Sequence, residues 1–290
     1  MTRRASTDAN LKSVVRQRLQ DVARALKAAH AKTLSPKTLH ALRVGCRRAE
    51  AALESCRDEL PAKPRAWLHK RLRRLRQSCS LLRDDDVLLK WLKTQKANHA
   101  TRGLLETIRR QRKANQPQIE ERAKAMTRGG RFVHRARRLY SSADNGGDSG
   151  PWRRAVAGRL FEEFHRFVLA FPNDSANATE LHRLRIAVKR LRYTIEFATD
   201  IWPETKFTDL KNLLIDMQDR LGRFHDAVVR QQRLAQLPAG NSSPTNGDIP
   251  TTSDQELRQF HDAWKKWWPA RPVERIMARS TAEIVQLFRP

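Results

Sequence analysis

The strongest constraint on this chain is that it repeats itself. Residues 39–54 read LHALRVGCRRAEAALE and residues 181–196 read LHRLRIAVKRLRYTIE, an offset of 142 positions. His40 falls on His182, Arg43 on Arg185, Arg47 on Lys189, Arg48 on Arg190 and Glu54 on Glu196. Upstream, Val14, Leu19, Val22 and Leu26 fall on Val156, Phe161, Phe164 and Val168. Downstream, Leu68, Leu72, Leu75 and Cys79 fall on Leu210, Leu214, Met217 and Leu221. Arg83-Asp84-Asp85-Asp86-Val87 then meets His225-Asp226-Ala227-Val228-Val229. A register held over about 75 residues predicts a duplicated unit, residues 1–145 and 146–290.

Within each copy the apolar spacing is helical. Ala, Leu, Arg, Glu and Gln are abundant while β-branched and aromatic residues are sparse, which predicts an all-α fold. Helices are expected over about 9–31, 36–57 and 64–97, with copies at 152–171, 179–200 and 205–237. Ser35-Pro36 reads as a cap followed by proline at the first helical position, and Thr179 as the matching cap. A longer helical region over 99–141 should break at Pro117. Its shorter counterpart, 254–289, is interrupted by Pro269 and Pro272. Residues 141–151 and 238–253 carry the Gly, Pro, Asn and Ser of loops. Two helical bundles sharing an interface is the expected architecture.

Charge narrows the function. Fifty-eight Lys and Arg against thirty-one Asp and Glu leave a formal +27. Such a surplus repels itself in a compact state, so an acidic partner is expected. The bias toward arginine, 42 against 16 lysines, suits phosphate oxygens, which the planar guanidinium fork binds bidentately. Residues 1–150 carry +22 and residues 151–290 only +5, so long-range attraction belongs mainly to the first half. Cys46, Cys56 and Cys79 form no metal-ligand or redox spacing and read as reduced, packed thiols. With no secretory apolar core near the start and no long apolar run, a cytoplasmic protein without membrane contact is expected.

On the second helix, Leu39, Leu42, Cys46, Ala49, Leu53 and Cys56 form a core-facing seam. His40, Arg43 and Arg47 form a second row beside it, and His182, Arg185 and Lys189 repeat that row beside Leu181, Leu184, Val188, Leu191 and Ile195. A face that only meets water would lie opposite the seam, whereas a flanking row points toward a cleft or a neighbouring bundle. Only Glu54 and Glu196 share these rows as carboxylates. The third helix adds Lys70, Arg73, Arg74 and Arg76, a patch the second copy lacks.

The string His40-x-Leu-Arg-x-x-x-Arg-Arg, repeated as His182-x-Leu-Arg-x-x-x-Lys-Arg-Leu-Arg-Tyr, resembles the CHAD family, the conserved histidine α-helical domain. The Arg-Asp-x-Asp-Val string at 83–87 matches that family's second signature, and His to Asp spans 44 residues in both copies (His40–Asp84 and His182–Asp226). The resemblance implies two four-helix bundles related by a pseudo-twofold axis. It also implies a basic central cleft or pore that binds inorganic polyphosphate, and association with polyphosphate granules. Carried over position by position, the binding residues are His40, Arg43, Arg47 and Arg48 with His182, Arg185, Lys189 and Arg190. Lys70, Arg73, Arg74, Arg76 and Arg192 are additional candidates. The sequence departs from the pattern at Glu50, where the second copy has Arg192, and at His225 and Val228.

Other chemistries fit less well. No HExxH or Cys/His cluster suggests a metal site or a cofactor, and no glycine-rich phosphate loop suggests phosphoryl transfer. Asp84, Asp85 and Asp86 are expected to pair with arginines such as Arg83 and Arg76 rather than to hold Mg²⁺. The histidines are expected to donate to phosphate oxygens, with a polyanion favouring their charged form. Nucleic acid is the rival partner, since phosphate contacts alone give affinity. Single-strand binders, however, interleave cations with stacking aromatics, and these rows carry almost none.

Overall fold

A computed structural model describes residues 2–31, 34–96, 98–141, 150–172, 177–205, 207–235, 252–267 and 273–288. Among them the regular structure is helical throughout, with no strand. Helix α1 covers Thr2–Ala31, α2 Pro36–Ser55, α3 Ala62–Leu92, α4 His99–Thr127 and α5 Arg131–Ser141. In the second half α6 covers Gly150–Leu169, α7 Ala178–Ile201, α8 Thr208–Ala235, α9 Thr252–Trp267 and α10 Val273–Gln286. The two predicted loops, Pro269 and Pro272 lie largely or wholly outside the described residues.

Local chemistry starts and stops these helices. The Ser35 hydroxyl accepts from the Thr38 N–H at 3.1 Å, and Pro36 opens α2 as expected. The cap of α7 is Asn177, not Thr179. The Asn177 side chain accepts from the Glu180 N–H at 3.0 Å, and the Glu180 carboxylate accepts from the Asn177 N–H at 2.9 Å. This reciprocal pair satisfies two otherwise orphaned donors, which a lone threonine cannot do. Helix α4 runs through Pro117 without a break. Pro117 is exposed, and Ile119, Ala123 and Met126 in the following turns are buried, so packing outweighs one missing hydrogen bond. The interruption comes instead at Gly129 and Gly130, whose φ angles of 59° and 68° need residues without a Cβ.

Sequential helices pack as neighbours, α1 on α2, α2 on α3 and α3 on α4, then α6 on α7, α7 on α8 and α8 on α9. Across the halves, α7 packs on α1 and α2, α6 on α2, and α3 on α8. One apolar cluster runs through both halves, from Leu11 to Leu287. A smaller cluster of Leu88, Leu92 and Ile108 sits between α3 and α4, with Leu234 of α8 packed against it.

The buried positions test the repeat residue by residue. Leu39, Leu42, Cys46, Ala49, Leu53 and Cys56 are buried, and so are Leu181, Leu184, Val188, Leu191, Ile195 and Ala198, each 142 positions on. Leu68, Leu72, Leu75, Cys79 and Leu82 match Leu210, Leu214, Met217, Leu221 and Phe224 in the same way. The register does not extend to α6. Phe161 and Val168, the counterparts of buried Leu19 and Leu26, are 45% and 40% exposed, while Leu160 and Phe167 are buried. An offset of 141 aligns Val15, Leu19 and Leu26 with the buried Val156, Leu160 and Phe167. Between α6 and α7 the chain has one residue more, in this register, than between α1 and α2, and α6 seats one residue out of step. In that seating Glu163, only 1% exposed, takes the place of Val22.

Ion pairs tie the halves together. Arg18 of α1 pairs with Asp200 of α7, and Arg48 Nε of α2 lies 3.0 Å from Glu196 of α7. Arg233 of α8 pairs with Asp85 of α3, a carboxylate with no solvent exposure. Asp86 takes Arg112 Nε of α4 at 2.6 Å, and that guanidinium also donates to the Leu34 carbonyl at 3.0 Å. The expected partners, Arg83 and Arg76, are therefore not the ones used. Arg76 donates instead to Glu50 at 3.0 Å.

Candidate functional site

The two predicted rows meet where α2 packs on α7. Arg47 of α2 disfavours the charge on both Arg185 and Lys189 of α7, and Arg43 does the same to Lys189. Beneath them α3 packs on α8, bringing Asp84 and Asp226 close enough to repel. Each carboxylate sits 41 positions after an arginine of the cluster, Asp84 after Arg43 and Asp226 after Arg185. The site is thus four basic side chains over two acids, drawn from both halves.

Burial dominates the electrostatics. It lowers the Arg43 guanidinium to about 10, aided by Arg47, with Asp84 acting in the opposite sense. Burial likewise lowers Arg185 to about 10, where Asp226 favours the charge and Arg47 opposes it. Lys189 falls furthest, to about 6, through burial and then the neighbouring Arg185, Arg47 and Arg43. A cation removed from water loses hydration that only an anion can replace. The Nε atoms of Arg43 and Arg185 are buried with no hydrogen-bond partner among the described residues.

The histidines flank this cluster. His40 is exposed, yet partial burial and the arginines at 83, 43 and 47 lower its pKa. His182 is lowered by burial, Arg185 and Lys189. Its ring lies 5.5 Å from that of His225, which burial and four cationic or imidazole neighbours push down to about 3. In the unliganded protein these imidazoles are neutral at pH 7, each with one N–H to donate. The charged form expected for them would require the anion itself.

A cavity of about 580 Å³ opens beside the cluster, between α2, α3, α6 and α7. Arg47, His182, Arg185, Lys189 and Arg190 line it, as do Arg73 and Arg76 of the additional patch. Lys70 and Arg74 are exposed and do not reach it. Neither Arg48 nor Arg192 belongs to its wall: Arg48 is held by Glu196, and Arg192 lies over the Tyr193 ring, 3.6 Å from Glu196. Three charged or imidazole lining residues went unread in the sequence, His69, Arg159 and Glu163. Glu163 takes Arg159 at 2.7 Å and Arg166 at 2.8 Å on one oxygen, leaving the other buried without a partner. Its i, i+4 spacing from Arg159 was visible, but the assumed register put an apolar position elsewhere.

Solved structures share this fold. A CHAD domain from the plant Ricinus communis aligns with a TM-score of 0.60 at 22% identity, over 95% of this chain and 90% of that one. PptA from Streptomyces chartreusis aligns with a TM-score of 0.52 at 15% identity, over 97% and 99%. No curated protein matches the chain. Residues 13–235, from α1 through α8, match the CHAD domain model, and the chain belongs to the CHAD family.

Proposed function

We propose that this chain binds inorganic polyphosphate, without chemistry on it, by seating the polymer on the cations that α2 and α7 present to each other. The buried, partnerless Nε atoms of Arg43 and Arg185 carry this reading. Three arginines face two carboxylates there, and Lys189 adds a fourth charge once protonated, so the protein alone leaves the cluster under-neutralised. A phosphate chain supplies closely spaced anionic oxygens and no apolar surface, which is what such a site lacks. Under this reading the halves are duplicated four-helix units about a pseudo-twofold axis near the α2–α7 contact. His40 and His182 then donate N–H groups from either side. Family resemblance adds the polymer's identity and association with polyphosphate granules, and three free thiols suit a cytoplasmic setting.

Single-stranded nucleic acid is the competing occupant of the same cleft. Bases need stacking faces, and the Tyr193 ring in the cavity wall is 6% exposed beneath Arg192. The test is replacement of Arg43, Arg47, Arg185 and Lys189 by Ala. Affinity for long-chain polyphosphate should fall at least a hundredfold, while the helical circular dichroism is retained. The slope of log affinity against log salt should flatten by about 3, at roughly 0.7 per phosphate contact on a flexible strand. Wild-type affinity in that variant would refute the site. Equal displacement of labelled polyphosphate by RNA and heparin would reduce the reading to generic polyanion binding.

A further inference from the structure

The charge surplus of the first half is only partly spent on the cleft. Residues 98–141 hold twelve Lys and Arg against three Asp and Glu. Helix α4 buries Ile108, Ile119, Ala123 and Met126 on one side. At roughly 100° per residue, Arg102, Arg109, Arg110, Lys113 and Lys124 fall within an arc of about 100° on the other side. All five are exposed, and none has a hydrogen-bond or ion-pair partner among the described residues. Glu106 and Glu121 are the exposed carboxylates of this helix. The row extends about 33 Å, at 1.5 Å per residue. None of its members lines the cavity between α2, α3, α6 and α7.

We infer that the outer face of α4 is a second, separate anion-docking surface, and that its partner is the phosphate backbone of duplex nucleic acid. Shape decides between polyanions. A convex ridge encloses nothing, so a thin flexible polymer laid along it would lose chain entropy without gaining burial. A duplex is already stiff and presents its phosphates in fixed rows, one charge per roughly 1.7 Å of axis. Long, mobile Lys and Arg side chains along one continuous helix can reach such rows without ordering the partner. The face carries no Phe, Tyr or Trp, so it offers phosphate contacts and no base reading.

The test compares three full-length variants with wild type. In the first, Arg102, Arg109, Arg110, Lys113 and Lys124 become Gln. The second is a charge-matched control in which the exposed Lys63, Lys90, Lys93, Lys265 and Lys266 become Gln. A third is R43A/R185A. The probe is a mixed-sequence duplex DNA of about 30 base pairs, read by fluorescence anisotropy from about 50 to 200 mM salt. The α4 variant should lose at least about tenfold in duplex affinity, and its salt slope should flatten by about 4, at roughly 0.9 per phosphate. Its polyphosphate binding should stay within about twofold, which also certifies its fold. Both the control and R43A/R185A should keep duplex binding within about threefold. Equal losses in the control and α4 variants would overturn the surface in favour of net charge. Loss of duplex binding in R43A/R185A would move the duplex to the cleft, and absence of wild-type binding at about 50 mM salt would end the proposal. Loss of polyphosphate binding in R43A/R185A bears on the cleft alone, so the two readings fail separately.

Discussion

At the residue scale the informative position is Lys189, which stands where the first copy has Arg47. An arginine stays charged in any protein interior, whereas a lysine among cations gives up its proton. With its pKa at about 6, Lys189 is mostly neutral at pH 7 until an anion arrives. Phosphate oxygens beside the amine would raise that value, so binding near neutrality takes up a proton. Affinity for polyphosphate should therefore rise as pH falls from about 8 toward 6. Calorimetry in buffers of different ionisation enthalpy should register the uptake, and K189R should keep only the share due to the histidines. Stability follows the opposite logic. The lowered folded value means that burying Lys189 destabilises the fold below its unfolded pKa of roughly 10.4, fully so below about 6. K189M should then raise the melting temperature at pH 6 and lose that advantage toward pH 10. The Cys46, Cys56 and Cys79 thiols are buried and free, as their spacing suggested, and burial pushes all three above the usual thiol range. Glu163 was not legible, because a buried acid held by two arginines looks in sequence like any surface glutamate.

Among the elements, the helices were readable from apolar spacing and their ends were less so. Asn177 with Glu180 caps α7, and N177A should cost about 1 kcal/mol in denaturant unfolding. Pro117 misled because proline removes one hydrogen bond, which α4 recovers through its buried side. The true break needs φ above zero, so G129A should cost about 1 kcal/mol while P117A should do no harm. Between elements, the buried Asp85 has Arg233 as its partner across the α3–α8 contact. R233A strands that carboxylate, and a loss of about 3 kcal/mol is expected by chemical denaturation. D85N should cost less, since an amide needs no counter-ion. These partners were not legible because Arg233 lies 148 positions from Asp85, where no local spacing rule operates.

For the whole molecule, the apolar cluster that runs from Leu11 to Leu287 crosses the boundary between the copies. Two independent bundles would each keep a closed core. Here α7 rests on α1 and α2, so each half covers apolar surface of the other. Residues 1–145 alone should expose that surface, bind a hydrophobic dye and lack a sharp thermal transition, while the full chain melts once. Two resolved transitions in the full chain would mean that the halves fold separately. Fusion also explains why the cations face each other. Packing α2 on α7 brings together two like-charged rows that separate bundles would hold apart.

The amino-acid order alone determined the helical class, the shared apolar register of α2 with α7 and of α3 with α8, and the rows that place His40, Arg43, Arg47, His182, Arg185 and Lys189 beside those apolar seams. These are local or periodic properties, set by side-chain spacing on one helix at a time. Tertiary structure alone decided which rows face each other and which arginines are spent on carboxylates, as Arg48 is on Glu196. It also decided that α6 sits one residue out of step. The reason is that burial and pairing are properties of contacts between distant segments. A helix carries its own periodicity but not the identity of its neighbour.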